Sequence, residues 1–168
     1  MTTQWLRGVF VRDLRGLRRA LEVYPDEADI WRTPPGISNA GGTLALHLVG
    51  NIRTFIGAVL GHSGYVRDRE AEFARRNVPR AELLALVDEA IEAVKTYMPK
   101  VTEADLEKPY PVAVAGYTIT TGDFLLHLVS HLGYHLGQVD YHRRIVTGST
   151  TTIGALPTAE LSTARKAE

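Results

Sequence analysis

Leu6, Val9, Phe10, Leu14, Leu17 and Leu21 recur at three- and four-residue steps, the period of one helix face, and predict a first helix over residues 4–23. Residues 24–37, YPDEADIWRTPPGI, hold three prolines and a glycine and read as a loop. Ser38 or Asn39 is then the expected N-cap of a second helix running through TLALHLVGNIRTFIGAVLG, with Leu44, Leu48, Ile52, Phe55, Ile56 and Val59 on one face and a stop near Gly61–Gly64. A charged connection over 65–78 leads to Pro79, which suits the first turn of a third helix, RAELLALVDEAIEAVKTYM, ended by Pro99. The Pro-rich stretch 107–119 alternates locally and is read as extended or as a short hairpin about Ala115 and Gly116. The last helix begins near Thr120 or Thr121, where Thr120 and Asp123 have capping-box-like spacing, and runs to about Val146. Four long amphipathic segments with little strand signal predict an all-α four-helix bundle, one domain over residues 1–150. Residues 151–168, rich in Thr, Ala and Ser without an apolar period, are expected to form a partly disordered tail.

Composition narrows the function classes. Nineteen basic side chains balance nineteen acidic ones, so the excess of Lys and Arg that phosphate neutralisation requires is missing and nucleic acid is not an expected partner. No secretory leader pattern is visible at the N-terminus, and no apolar run approaches the roughly 20 residues of a membrane span. A cytoplasmic protein without a membrane partner is therefore expected. The chain has no Cys, which excludes thiolate nucleophiles and Cys-ligated zinc, so a metal site must use His and oxygen ligands.

The histidines change the picture most. Four of the six, His127, His131, His135 and His142, fall in the last helix, and at about 100° per residue they lie within about 80° of one another. That stripe overlaps the arc of Phe124, Leu128, Leu132, Leu136 and Val139, and imidazoles among leucines are costly unless their nitrogens are paired or metallated. A single His on an apolar face is ordinarily a hydrogen-bonded core residue. Two imidazoles one turn apart are a recurrent way of presenting two nitrogens to one ion, which singles out His131 and His135. Leu132 stands where a zinc peptidase of the HExxH type has its Glu, so that mechanism is excluded. The other His embedded in an apolar helix face is His47, which makes it the candidate third ligand. Asn51, one turn on, either meets a ligand or is a buried amide tying helices together. His142 lies about 10 Å along the axis from His135, too far to share the ion, and is read as a pocket or surface residue. His62 is read as a cap or solvent residue. Gly133 and Gly137, off the stripe, would admit a neighbouring helix.

These residues resemble the DinB superfamily, which also contains YfiT-like metal-dependent hydrolases and thiol S-transferases. LHLVGNIRTFI at 46–56, RDREAEF at 67–73 and above all HLVSHLGYHLGQ at 127–138 carry the resemblance, which spans roughly residues 38–146. It implies an up-down-down-up bundle, commonly a homodimer, with a divalent ion, zinc or nickel first among candidates, held by His47, His131 and His135. Tyr134 and Tyr141, outside the main apolar arc, fit a dimer. His127 occupies a position where relatives often have His without using it as a ligand, and with Asn51 and Gln138 it is assigned to the pocket or to support of the ligands. Leu136 departs from relatives that carry Arg before Gly-Gln.

Two functions from different classes compete. A three-His site leaves coordination positions open, so the chain is read as a metal-dependent enzyme, most concretely a thiol-dependent S-transferase acting on a small molecule, with a hydrolase as the alternative. The other reading is a noncatalytic dimeric metal-binding protein of a stress response. RDREAEF read alone is a solvated charge run anchored by Phe73; its functional version puts Arg67 or Arg69 at a pocket mouth facing an acidic substrate. Asp13, in the first helix's apolar arc, is either a buried partner of an Arg or a support for a ligand His.

Overall fold

The computed structural model describes residues 2–154 and 156–167. Among them the chain is all-helical, with isolated bridges but no strand. Four long segments carry the fold: α1 (Thr2–Glu22), α2 (Gly41–Ile52, continued as a π-helix over Arg53–Leu60), α4 (Arg80–Tyr97) and α6 (Thr121–Thr147). Two short helices, α3 (Arg69–Ala74) and α5 (Glu103–Leu106), sit in the connections before and after α4.

The four long segments surround one core. α1 packs on α4 and α6, and α2 packs on the same two neighbours from the other side. Leu6, Phe10, Leu14, Leu17 and Leu21 bring α1's face to this core, and Leu83, Val87, Ile91 and Val94 bring that of α4. α6 contributes Leu125, Leu128, Leu132, Leu136 and Val139. Every residue of Gly41–Ile52 is buried. A helix hydrophobic all round must be enclosed, and neighbours on its several sides explain why α2 lacks the one-sided pattern of the other three.

That enclosure corrects the reading of the apolar runs. Gly41–Leu60 is long and apolar enough to cross a membrane by length and composition, but most of it is buried inside the protein. Its composition is that of a core helix.

Local chemistry sets the ends. Ala40, not Ser38 or Asn39, is the N-cap of α2, and it makes no side-chain cap bond. The two predicted caps bond each other instead, Asn39 Nδ2 donating to Ser38 Oγ at 3.3 Å. Pro79 stands one residue before α4 as its N-cap. Thr120 caps α6 by accepting from the Asp123 amide at 3.3 Å, the donor that an N-cap hydroxyl is placed to satisfy. In the 107–119 stretch, Val114 and Tyr117 exchange backbone bonds about a turn at Ala115 and Gly116, both at positive φ. Two consecutive residues at positive φ match the tight turn favoured in hairpins, although the flanks are too short to form strands. Of the tail, Glu160 pairs with Arg15 and Arg19 of α1, and Ile153 packs against the core. Ala155 and Glu168 of that segment lie outside the described residues.

Candidate metal centre

Three imidazoles meet between α2 and α6. His47, buried in the middle of α2, and His131 and His135, one turn apart on α6, each offer a ring nitrogen, and these atoms lie within 4.8 Å of one another. His47 Nε2 and His131 Nε2 are 3.3 Å apart. The i, i+4 spacing on α6 stacks two rings along one face, and the enclosure of α2 puts His47 opposite them.

The hydrogen bonds fix which nitrogen of two rings carries the proton. His47 Nδ1 lies 3.2 Å from Glu72 Oε2. A carboxylate only accepts, so Nδ1 carries the proton and Nε2 presents its lone pair to the group. His135 Nδ1 lies 2.6 Å from Gln138 Oε1; the amide oxygen accepts, and Nε2 is again free. His131 differs, because its Nδ1 is buried without a hydrogen-bond partner. Its hydrogen-bond contact is at the other nitrogen, Nε2, which lies 3.3 Å from His47 Nε2.

Glu72 is itself held. Arg67 donates to both its oxygens, Nε to Oε1 at 2.6 Å and Nη2 to Oε2 at 2.7 Å, the two-pronged geometry of strong guanidinium–carboxylate pairs. Burial alone would raise the Glu72 pKa, but the bonds from Arg67 and His47 outweigh it and hold the carboxyl below its ordinary range. The carboxylate reaches α2 because residue 50 is glycine: a Cβ there would lie 1.9 Å from Glu72 Oε1. Phe73 packs beside it, its ring centroid 5.0 Å from that of His47.

Burial favours the neutral form of the two imidazoles on α6. Burial, reinforced by the neighbouring His135, His47, His127 and Arg67, where a second positive charge would be repelled, lowers the His131 pKa to about 4. His135 is also lowered, by burial first, with Gln138 opposing and His47 assisting. Neutral imidazole is the form that binds metal.

These residues fit an ion. Two ligands of a tetrahedral zinc site at about 2.0–2.1 Å are themselves about 3.3–3.4 Å apart, and His47 and His131 already have that separation. Glu72 and Gln138 supply the outer contacts that orient metal-binding imidazoles. The group His47, His131 and His135 could hold a metal ion.

The remaining histidines and neighbours take other places. His127 is exposed, with its ring 6.2 Å from that of His131, and is not in the group. Asn51 is buried; its Nδ2 donates to the His47 carbonyl at 3.0 Å and lies 3.0 Å from His47 Nε2. It stays on its own helix rather than tying two together. His142, read as a pocket or surface residue, is 2% exposed and lines a cavity between residues 36–39 and α6. Its Nε2 donates to the Arg32 carbonyl at 2.7 Å, and the Tyr24 hydroxyl donates to its Nδ1 at 2.8 Å, so it joins α6 to the loop after α1. His62 is exposed at positive φ. Leu136 is buried in the core, where a Cβ on Gly16 of α1 would lie 3.0 Å from its Cδ2. Asp13 is buried and pairs with Arg12 at 2.8 Å, the bland alternative. Gly137 has open space where a Cβ would be, so no helix approaches there.

RDREAEF is the segment that sequence reasoning misjudged. Arg67 faces Glu72 rather than a substrate, Arg69 lies over the Phe73 ring, and Glu72 is 6% exposed. The available signal was Gly50, a glycine inside the apolar run three residues after His47, which leaves room for another group to pack there.

No match was found among curated proteins. The family model described as DinB superfamily matches residues 10–139, a span that holds all three imidazoles of the group together with Glu72 and Gln138. The fold, the paired histidines of α6 and this match lead to one conclusion: the chain belongs to the DinB superfamily.

Proposed function

We propose that the protein is a metal-dependent S-transferase, which joins a low-molecular-weight thiol to an electrophilic small molecule. The observation that carries this reading is the convergence of three imidazoles, His47, His131 and His135, a donor set that leaves coordination positions for an outside ligand. A divalent ion, zinc or nickel by preference, supplies Lewis acidity when bound and lowers the pKa of a coordinated thiol or water. The chain's own part is to present the three nitrogens, with Glu72 and Gln138 orienting two of the rings. With no Cys in the sequence, the sulfur comes from a cosubstrate. The thiolate forms a C–S bond to the electrophile, whose leaving group departs with its bonding pair, and the thiol proton passes to solvent. An up-down-down-up bundle, a homodimer and a cytoplasmic setting belong to the same reading.

Elemental analysis of the wild type and of His47→Ala, His131→Ala and His135→Ala tests the ligands; each variant loses metal, and His127→Ala keeps most of it. Stoichiometric metal in all three would reject the assignment. Consumption of a model electrophile by metal-loaded protein with glutathione, bacillithiol or mycothiol then tests the reaction. Rates equal to those of His131→Ala and metal-free protein, with every thiol, would favour a hydrolase or a noncatalytic binding protein. Sedimentation at micromolar concentration tests the dimer, and a species near 18.5 kDa would reject it.

A further inference from the structure

A cavity of about 290 Å³ reaches one of the three imidazoles, with His135, Gln138 and the buried His142 in its wall. It lies between the loop before α2 and the second half of α6. Ile37 and Leu44 line one side, and Tyr134, Tyr141 and Ile145 line the other. The last three are more than half exposed although large and apolar. Ser38 and Asn39 add uncharged hydrogen-bonding groups at the rim, and no Asp, Glu, Lys or Arg lines the space. A guanidinium, that of Arg144, stacks on the Tyr141 ring at 4.9 Å.

We infer that this cavity between residues 36–39 and α6 binds the electrophilic acceptor, and that it selects an uncharged, flat, small molecule. The inference rests on the transferase reading for the word acceptor; the binding preference stands without it. The volume is at the lower end of the range for ligand pockets, about 300–1,000 Å³, which limits the guest to roughly one ring with substituents. Two tyrosine rings and three aliphatic side chains give such a guest broad faces to pack on, and aromatic pairs add to burial. A carboxylate would lose its hydration without a lining cation to receive it. Glutathione and bacillithiol carry carboxylates, so a charged cosubstrate of that kind is the poorer fit. The shared wall at His135 puts the guest next to the imidazole group, where an acceptor must stand to meet a thiol.

Calorimetric titration of the metal-loaded protein with methyl 3,5-dinitrobenzoate and with 3,5-dinitrobenzoate decides the matter, because the two share a ring, differ in charge and undergo no transfer. The neutral ester binds at least tenfold tighter than the anion. Ile145→Glu, a substitution at a position that is 53% exposed, weakens the ester at least fivefold by placing a charge in the wall, and so does Tyr141→Ala by removing a ring face. Comparable or tighter binding of the anion, no detectable ester binding, or ester affinity unchanged in both variants would overturn the inference. The same titration on His131→Ala separates the two ideas. Ester binding retained by that variant, alongside absent thiol turnover in the wild type, rejects the transferase and keeps the pocket; turnover with no ester binding does the reverse.

Discussion

Glu72 links a surface-type sequence to the buried imidazole of His47, and its charge is the property to remove. Glu72→Gln keeps the shape but withdraws the negative charge from His47 Nδ1 and from Arg67. Loss of such an outer contact typically costs about 10–100-fold in metal affinity, and that is the expected effect in a chelator competition, with the helical content unchanged. An affinity equal to the wild type would show that His47 is oriented by Asn51 and packing alone. The same residue shows why the site was only half legible. His131 and His135 announce themselves by spacing, since the period of one helix brings them together. Glu72 meets His47 across twenty-five positions of chain, and nothing in RDREAEF distinguishes the one carboxylate that turns inward.

At the scale of elements, α3 is a single short helix held on α2 by one close approach. Its six residues are too few to be stable alone, and Asp68 caps it by accepting from the Ala71 amide at 2.8 Å. Gly50→Ala would put a Cβ where Glu72 Oε1 now lies and push α3 outward. Overpacking of this kind costs typically about 1–3 kcal/mol, so urea unfolding should move to lower midpoint and metal affinity should fall as it does for Glu72→Gln. Destabilisation without a change in affinity would mean that α3 yields while the carboxylate keeps its place. The long helices were legible because each carries its own apolar period. The N-cap of α2 was not, because Ser38 and Asn39 bond each other and the helix begins at Gly41, after an N-cap Ala40 that makes no side-chain bond.

For the whole molecule, the buried histidines set an acid limit. His131, His135 and His142 all have pKa values lowered by burial from 6.5. The unfolded chain therefore binds more protons than the folded one below about that pH, and stability falls as pH drops, for His131 until pH passes about 4. Glu72, whose folded pKa is depressed, adds stability that is lost as pH falls through its folded value. Asp13, raised by burial, works in the opposite sense just above 3.8. Urea midpoints of metal-free protein should decline between pH 7 and pH 5, and His142→Leu, though less stable at pH 7, should decline less steeply. A midpoint flat across that interval would contradict neutral burial of these rings.

The sequence by itself determined the four long helices, the one-sided faces of α1, α4 and α6, and the paired nitrogens of His131 and His135, because these are written in spacings within a single segment, and the family, through three short strings that each carry a local pattern. Only the tertiary structure decided that α2 is enclosed, that His142 is a joint between α6 and the loop after α1, that Leu136 is core, and that Glu72 and Arg67 stand behind His47. Those facts depend on which surfaces meet. A local period fixes the direction in which a side chain leaves its own helix, but the partner it finds there is supplied by another part of the chain.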